Sequence, residues 1–176
     1  MNIFLIGCRG SGKSTVGRTL AKRLKWGFID IDQMVVEATG CSIRETFAKE
    51  GEQGFRQRER EACLRVKKLD EHVVALGGGT VCVPENYTSL KRSGRFVWLR
   101  TPAAIAWSRI QQDPQGKVNR PDLTPTGGLS ELESLLVDRE PKYESAAHHI
   151  VDTVSNTPEQ IAEAIELWFV ASDTGR

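Results

Sequence analysis

The chain has 176 residues, of which 39% are hydrophobic and 27% charged, with 16 glycines and 7 prolines. This composition excludes collagen-like, mucin-like and disordered chains, and the length favours one domain covering residues 1–176. The net charge of +1 provides no general attraction for nucleic acid or for an anionic membrane surface, so we expect neither as a partner.

The cysteines and the N-terminal residues indicate a compartment. Cys8, Cys41, Cys63 and Cys82 match no C-x-x-C pair and no zinc-ligand spacing, so we expect reduced thiols. The apolar run at residues 3–6 is too short for the core of a signal peptide, and no stretch approaches the ~20 apolar residues that span a bilayer. The sequence therefore predicts a cytoplasmic protein.

Short apolar runs alternate with helical patterns, which predicts an α/β fold with a parallel sheet. Strands are predicted near residues 2–6, 27–31, 73–76, 95–99 and 149–152. Helices are predicted at about 13–24, 43–49, 52–68, 85–92, 102–111, 129–145 and 158–170. A capping box from Ser42 to Glu45 and first-turn prolines at Pro102 and Pro158 support three helix starts. Residues 112–128 lack apolar periodicity and are predicted to form a mobile, functional loop.

The first predicted strand runs directly into Gly7-Cys8-Arg9-Gly10-Ser11-Gly12-Lys13-Ser14, which fits the phosphate-binding pattern G-x-x-x-x-G-K-[ST]. Glycines let backbone N–H groups wrap around a phosphate. Lys13 would then supply positive charge to the β- and γ-phosphates, and the Ser14 hydroxyl would ligate Mg²⁺. The alternative is a turn that merely caps a helix. The position between a strand and a helix favours a phosphate-binding loop.

Two aspartates, Asp30 and Asp32, lie at the end of the second predicted strand. The strand's period of two would place both side chains on one face, at the edge of the sheet where ligands bind. One carboxylate could approach the Mg²⁺ and the other a substrate hydroxyl. The alternative is that Asp32 caps a helix that begins in the pattern Gln33–Glu37. Beside a phosphate-binding loop, we favour ligand binding for the pair.

The third predicted strand ends in Gly77, Gly78 and Gly79. Three successive residues without side chains allow a ligand to approach the backbone closely. The alternative is a plain flexible turn, which could have the same three glycines. Arg56 and Arg139 lie in segments rich in both charge signs and, on these grounds alone, would be exposed surface residues. The same holds for Arg120, which precedes a proline in the irregular loop.

A phosphate-binding loop alone leaves GTPases, ATPase motors and small-molecule kinases open. The sequence has no N-K-x-D motif to bind guanine and is too short for a motor with coupling domains. A small-molecule kinase is therefore favoured. The alternative from another class is a non-catalytic nucleotide-binding module, against which the intact Lys13, Ser14 and aspartate pair argue.

The whole chain resembles the shikimate kinases. Six segments occur in that family's order and near its spacing: GCRGSGKSTVGRTLA, FIDIDQ, EGEQGFRQREREA, ALGGG, NRPDL and DREPKYESAAHHIVDT. The motifs D-x-D, G-F-R-x-R-E, G-G-G and R-x-x-x-Y go beyond what nucleotide kinases or gluconate kinases share. The FLIGCRG opening, the Asp32-Gln33 pair and the Leu-Ser-Glu region after the irregular loop look most like the type II form.

The resemblance implies a P-loop kinase fold, with a five-stranded parallel sheet flanked by helices and a mobile lid at about 112–128. It implies phosphorylation of the 3-hydroxyl of shikimate by ATP with Mg²⁺, in chorismate and aromatic amino acid biosynthesis, by a monomeric enzyme. Its small-molecule substrates would be shikimate and ATP. Another small-molecule P-loop kinase, such as a gluconate kinase, stays open as the alternative.

The resemblance also implies roles for individual residues. ATP would be bound by Gly10, Ser11, Gly12, Lys13, Ser14, Thr15, Arg109 and Arg120, with adenine near the turn 156–158. Mg²⁺ would be held by Ser14 and Asp30, and shikimate by Asp32, Arg56, Gly77, Gly78, Gly79 and Arg139. Lys13, Asp32 and Arg120 would be catalytic, with Asp32 orienting the hydroxyl first and acting as a base second. Asp122 stands where many members carry an apolar residue, which leaves the kinetics of the lid open.

Overall fold

The computed structural model describes residues 1–113 and 127–173. The strands are β1 (Asn2–Ile6), β2 (Gly27–Asp30), β3 (His72–Ala75), β4 (Gly94–Arg100) and β5 (His149–Asp152). The helices are α1 (Lys13–Leu24), α2 (Ile31–Thr39), α3 (Ile43–Val66), α4 (Pro84–Leu90), α5 (Ala103–Gln112), α6 (Gly128–Ala146) and α7 (Pro158–Asp173), with a 3₁₀ turn at Thr80–Cys82. The predicted α/β fold is confirmed.

The five strands form one parallel sheet in the order β2-β3-β1-β4-β5. Strand β1 is central, and its alternate residues enter two separate cores: Phe4 and Ile6 pack with α3, α5 and α6, whereas Ile3 and Leu5 pack with α1 and α7. Helices thus cover both faces, as a fully buried parallel sheet requires. All five strands therefore have their carboxyl ends at the same edge of the sheet. The phosphate-binding loop at residues 7–14, called the P-loop below, and the turn formed by the three glycines at residues 77–79, called the triglycine turn, both lie at this edge.

The prediction for Asp30 and Asp32 is wrong in its geometry. Strand β2 ends at Asp30, and a helix, which was only the alternative interpretation of this segment, begins at the next residue. Asp30, not Asp32, caps that helix, because its Oδ1 accepts hydrogen bonds from the backbone N–H groups of Asp32 at 3.0 Å and Gln33 at 3.4 Å. An aspartate in an extended conformation that accepts first-turn N–H groups is a strong helix start. This local capping overrides the period of two.

The predicted helices 43–49 and 52–68 form one helical run with a kink at Gly51, where φ is 69° and ψ is −176°. The left-handed φ is accessible to glycine at little cost, and this explains why the helix bends at this residue.

The predicted capping box is confirmed, since the Ser42 hydroxyl accepts from Glu45 N and the Glu45 carboxylate accepts from Ser42 N. Pro158 begins α7 as predicted, whereas Pro102 stands one residue before α5.

Within the described ranges, none of the helices combines the length and apolar character needed to cross a membrane.

Candidate active site

The loop between β1 and α1 wraps back on itself. Gly10 has a φ of 78°, and a Cβ there would lie 2.4 Å from the carbonyl oxygen of Ala106, so α5 leaves no space for a side chain. The Lys13 ammonium donates hydrogen bonds to the carbonyl oxygens of Gly7 at 2.9 Å and Cys8 at 2.7 Å. These contacts hold the cation over the loop, with the first N–H groups of α1 beside it. Such an arrangement is a ready anion-binding site.

The P-loop lines the larger of two neighbouring cavities, of about 810 Å³. Of the residues predicted to bind ATP, the cavity is lined by Gly10, Gly12, Lys13, Ser14, Thr15 and Arg109. Ser11 is buried at 1% exposure, and its hydroxyl lies 3.4 Å from the Lys13 ammonium. Arg109, on α5, is held by Thr153 after β5, because its guanidinium donates to the Thr153 hydroxyl at 3.1 Å and carbonyl at 2.7 Å.

The predicted metal pair is brought together. The Ser14 hydroxyl, in the first turn of α1, donates a 2.5 Å hydrogen bond to Oδ2 of Asp30 at the end of β2. The other carboxylate oxygen of Asp30 caps α2, so the side chain is fixed at both ends. Two hard oxygen groups beside a phosphate-binding loop suit Mg²⁺, which takes few protein ligands together with phosphate oxygens and water. The described residues contain no cluster of three or more His, Cys, Asp or Glu side chains that could hold a metal by themselves.

A smaller cavity of about 110 Å³ lies next to the first. Every residue predicted to bind the second substrate lines it: Asp32, Arg56, Gly77, Gly78, Gly79 and Arg139. Apolar side chains of α3, α5 and α6 complete the wall, including Phe47 and Phe55, which stack with their ring centroids 4.6 Å apart. Arg56 and Arg139 are half-buried, so the surface alternative from local sequence does not hold for them. Two guanidinium groups in one small cavity favour an anionic ligand.

Arg56 forms an ion pair with a buried carboxylate. Glu59, one helical turn later on α3, is only 1% exposed; its Oε2 accepts from Arg56 at 3.0 Å and its Oε1 accepts from the Thr80 hydroxyl at 2.6 Å. Burial raises the pKa of Glu59, while the hydrogen bond from Thr80 and the positive charge of Arg56 lower it. A buried carboxylate is tolerated when its oxygens are paired in this way.

Arg139 lies one helical turn before the fully buried Tyr143 on α6. The Tyr143 hydroxyl donates a 2.5 Å hydrogen bond to the carbonyl oxygen of Gly78, in the middle of the triglycine turn. Burial raises the pKa of this phenol, whereas the charge of Arg139 lowers it. Tyr143 therefore connects α6 to the turn and keeps Arg139 at the edge of the cavity.

Four residues of the site were not predicted as site residues: Arg9, Glu59, Thr80 and Tyr143. Arg9 occupies a variable position of the P-loop pattern, yet it lines both cavities. For Glu59 a signal existed, because the apolar face of α3 runs through Phe55, Ala62 and Val66, and Glu59 falls on this face. A charged residue on an apolar helix face is buried only with a partner, and Arg56 stands three residues away. Thr80 carries no comparable signal.

The prediction for Arg120, and the departure noted at Asp122, fall outside the described residues.

The triglycine turn yields a stability prediction. A Cβ on Gly77 would lie 2.6 Å from Oε1 of buried Glu59, whereas a Cβ on Gly79 would lie 2.9 Å from Nη1 at the end of the half-buried Arg56 side chain. We expect Gly77→Ala to lower the free energy of unfolding by about 1 to 3 kcal/mol, the range for overpacking. Gly79→Ala should cost less than Gly77→Ala, because its φ of −102° suits any residue and the tip of a long side chain yields more easily than a buried carboxylate.

Urea unfolding of the two variants beside the wild-type protein measures both values. Equal losses, or a larger loss for Gly79→Ala, would contradict the packing described for the turn.

Comparison with known proteins agrees with this geometry. The family model described as shikimate kinase matches residues 9–168. Shikimate kinase 2 of Yersinia enterocolitica is 38% identical over 163 residues, which are 93% of this chain and 92% of the relative. The structure of shikimate kinase from Acinetobacter baumannii in complex with shikimate has a TM-score of 0.90 and 34% identity, covering 97% of this chain and 93% of that one.

A more distant structure, a gluconokinase from Sinorhizobium meliloti, is 20% identical with a TM-score of 0.60 and covers 96% of this chain and 95% of that one, a likeness of fold alone. The family model and the curated relative each extend over more than nine tenths of the chain. The chain belongs to the shikimate kinase family.

Proposed function

We propose that this chain transfers the γ-phosphoryl group of ATP to the 3-hydroxyl of shikimate, giving shikimate 3-phosphate and ADP. The observation that carries the proposal is the position of Arg56, Arg139 and Asp32 around one small cavity that adjoins the P-loop cavity. The family and its shikimate-bound member support the same reaction. In the cell this step belongs to chorismate and aromatic amino acid biosynthesis.

The nucleotide would occupy the larger cavity with its phosphates on the P-loop. Backbone N–H groups of residues 10–15 would bind phosphate oxygens, and the Lys13 ammonium would move from the carbonyl oxygens of Gly7 and Cys8 to the β- and γ-phosphates. Arg109 would lie beside the adenine, in the position fixed by its two hydrogen bonds to Thr153. ATP would thus be held at its phosphates by the P-loop and at its adenine by Arg109.

The acceptor would occupy the smaller cavity. Shikimate carries one carboxylate and three hydroxyls, and a planar guanidinium matches a carboxylate with two parallel hydrogen bonds. Arg56 and Arg139 therefore suit the acid end. Asp32 lines both cavities, which suits a residue that accepts a hydrogen bond from the reacting hydroxyl. The glycines of the triglycine turn leave the space that the acceptor ring needs.

The transfer needs little covalent chemistry from the protein. The 3-hydroxyl oxygen forms a bond to the γ-phosphorus as the bond to the bridging oxygen of ADP breaks, and the hydroxyl proton leaves to Asp32 or to the phosphoryl oxygens. Because the transition state is loose, the demand on a base is small, and Asp32 acts first by orienting the hydroxyl. Lys13 stabilises the charge on the phosphates, and positioning supplies much of the remaining rate.

We include Mg²⁺ in the proposal: Ser14 and Asp30, whose side chains are joined by a hydrogen bond, would hold it. When bound, the ion would neutralise negative charge on the phosphates. A role for Arg120 in contacting the phosphates stays a prediction from the resemblance, as do the monomeric state, the cytoplasmic location and a single domain over residues 1–176.

The first test is acceptor choice. With Mg²⁺ and ATP, we expect kcat/KM for shikimate to exceed the values for gluconate and for nucleoside monophosphates by orders of magnitude. Gluconate also carries a carboxylate and hydroxyls, but it is an open chain that loses more freedom on binding than the shikimate ring, and a nucleoside monophosphate is large for a cavity of about 110 Å³. A coupled assay of ADP release over this panel measures it. A comparable kcat/KM on gluconate or on a nucleotide acceptor would refute the proposed substrate.

The second test addresses Arg139. We expect Arg139→Ala to raise the Kd for shikimate roughly 10- to 150-fold, the range for loss of a charge-assisted hydrogen bond, while the Kd for ATP stays within a few-fold. Lys142→Ala is the matched control, because it removes an exposed cation from the same helix outside the lining of the cavity. Calorimetric titration with each ligand decides; loss of ATP binding with normal shikimate binding would show that Arg139 is misassigned.

The third test addresses the metal site. Asp30→Asn keeps a side-chain oxygen that can cap α2 but removes the negative charge, and metal affinity depends on ligand charge. We expect the Mg²⁺ concentration for half-maximal rate to rise about tenfold or more, with an unchanged thermal midpoint. Glu37→Gln, on an exposed face of α2, should leave the Mg²⁺ dependence as it is. An unchanged Mg²⁺ dependence in Asp30→Asn would remove Asp30 from the metal site.

A further inference from the structure

Thr80 is fully buried at the start of the 3₁₀ turn that follows the three glycines. Its backbone N–H donates to the carbonyl oxygen of Gly77 at 3.0 Å, so the residue closes the triglycine turn. Its hydroxyl, whose oxygen would lie 3.0 Å from a Cβ on Gly77, donates to Oε1 of Glu59 at 2.6 Å. One residue thus joins the turn to the carboxylate of helix α3.

The second oxygen of Glu59 accepts from Nη1 of Arg56 at 3.0 Å. Among the described residues, Arg56 has one other ion-pair partner, Glu52, at 3.3 Å, but the Glu52 side chain is 71% exposed. An exposed pair of this kind is screened by water and constrains a guanidinium little. The guanidinium also lies over the Phe55 ring, 5.6 Å from its centroid, but this contact has no directed hydrogen bond. Glu59 is 1% exposed and accepts a hydrogen bond from Arg56, so this contact can set the orientation of the guanidinium.

A carboxylate held through one oxygen alone can rotate about its terminal torsion, which is broad and poorly defined by itself. With Thr80 on one oxygen and Arg56 on the other, that rotation is stopped. The guanidinium then faces the smaller cavity in one orientation before any ligand arrives. Preorganisation of this kind favours binding because less freedom is lost when the ligand binds.

We infer that Thr80 is a positioning residue for the acceptor: through Glu59, its hydroxyl fixes the Arg56 guanidinium that receives the shikimate carboxylate. The inference rests on the proposed function for the identity of the acceptor. Thr80 itself need not touch either substrate. Its contribution is to binding of the acceptor, and it adds nothing specific to the transition state.

The test compares Thr80→Val, which keeps the shape and removes the hydroxyl, with Thr80→Ser, which keeps the hydroxyl. In Thr80→Val we expect KM for shikimate to rise about 3- to 10-fold, less than for loss of a direct charged contact, with kcat and KM for ATP within about twofold. Thr80→Ser should restore KM for shikimate to near the wild-type value. The split between the two KM values separates positioning from general damage.

Thr46→Val is the matched control. Thr46 is also buried, at 2% exposure, and its hydroxyl bonds to the backbone carbonyl of Ser42 within α3, away from Glu59. The same chemical change there should leave KM for shikimate unaltered. If Thr46→Val raises this KM as much as Thr80→Val does, or if Thr80→Val lowers kcat and raises both KM values together, the specific role of Thr80 is overturned.

A measurement on the protein without substrates keeps this inference separate from the proposed function. Nitrogen-15 relaxation of the arginine Nε–H groups, with the Arg56 signal assigned from Arg56→Lys, reports how rigid the guanidinium is. We expect a lower order parameter for Arg56 in Thr80→Val than in wild type and Thr80→Ser. An unchanged order parameter overturns the inference even if the enzyme phosphorylates shikimate. Absence of shikimate phosphorylation in the wild-type protein overturns the proposed function and leaves this readout intact.

Discussion

The site depends on the close approach of two backbone turns that follow neighbouring strands. Strands β1 and β3 are hydrogen-bonded side by side, and the chain leaves their carboxyl ends as the P-loop and as the triglycine turn. A Cβ placed on Gly78 would lie 3.6 Å from the carbonyl oxygen of Gly7 and 3.7 Å from the N–H nitrogen of Arg9. A Cβ on Gly78 would thus touch the P-loop at van der Waals distance, so the two turns approach each other closely. The two cavities adjoin at this edge, and the side chains of Arg9 and Asp32 line both of them.

The triglycine turn packs against a buried charged group of α3 that needs hydrogen-bonding partners. Glu59 is that group, and its two oxygens are satisfied by Thr80 and Arg56. Because an unpaired buried carboxylate is costly, the same contacts that keep α3 folded also decide where the Arg56 guanidinium lies. On the opposite side, Tyr143 bonds to the carbonyl of Gly78 and holds α6, which carries Arg139. Stability and acceptor binding therefore draw on the same contacts.

The sequence was sufficient for the parts of the fold that depend on local patterns. The five strands, the P-loop and the capping box at Ser42 follow from apolar runs and short-range hydrogen bonds, and the structure has all of them. The roles proposed for Arg56 and Arg139 came from the family resemblance, because the sequence around them is typical of an exposed surface. What makes them half-buried is the packing of α3 and α6 against the triglycine turn. Contacts such as Thr80 to Glu59 join residues 21 positions apart and have no local signature.

The two aspartates combine a wrong local expectation with an unchanged proposal for their roles. A strand continued through residue 32 would place both carboxylates on the same face of the sheet. Instead, Asp30 stops β2 and caps α2, so the chain turns into a helix between the two residues. Asp30 then lines the larger cavity beside Ser14, while Asp32, in the first turn of the helix, lines both cavities. The change from strand to helix thus places the two carboxylates differently: in the proposed reaction, Asp30 would hold the metal and Asp32 would accept a hydrogen bond from the acceptor hydroxyl.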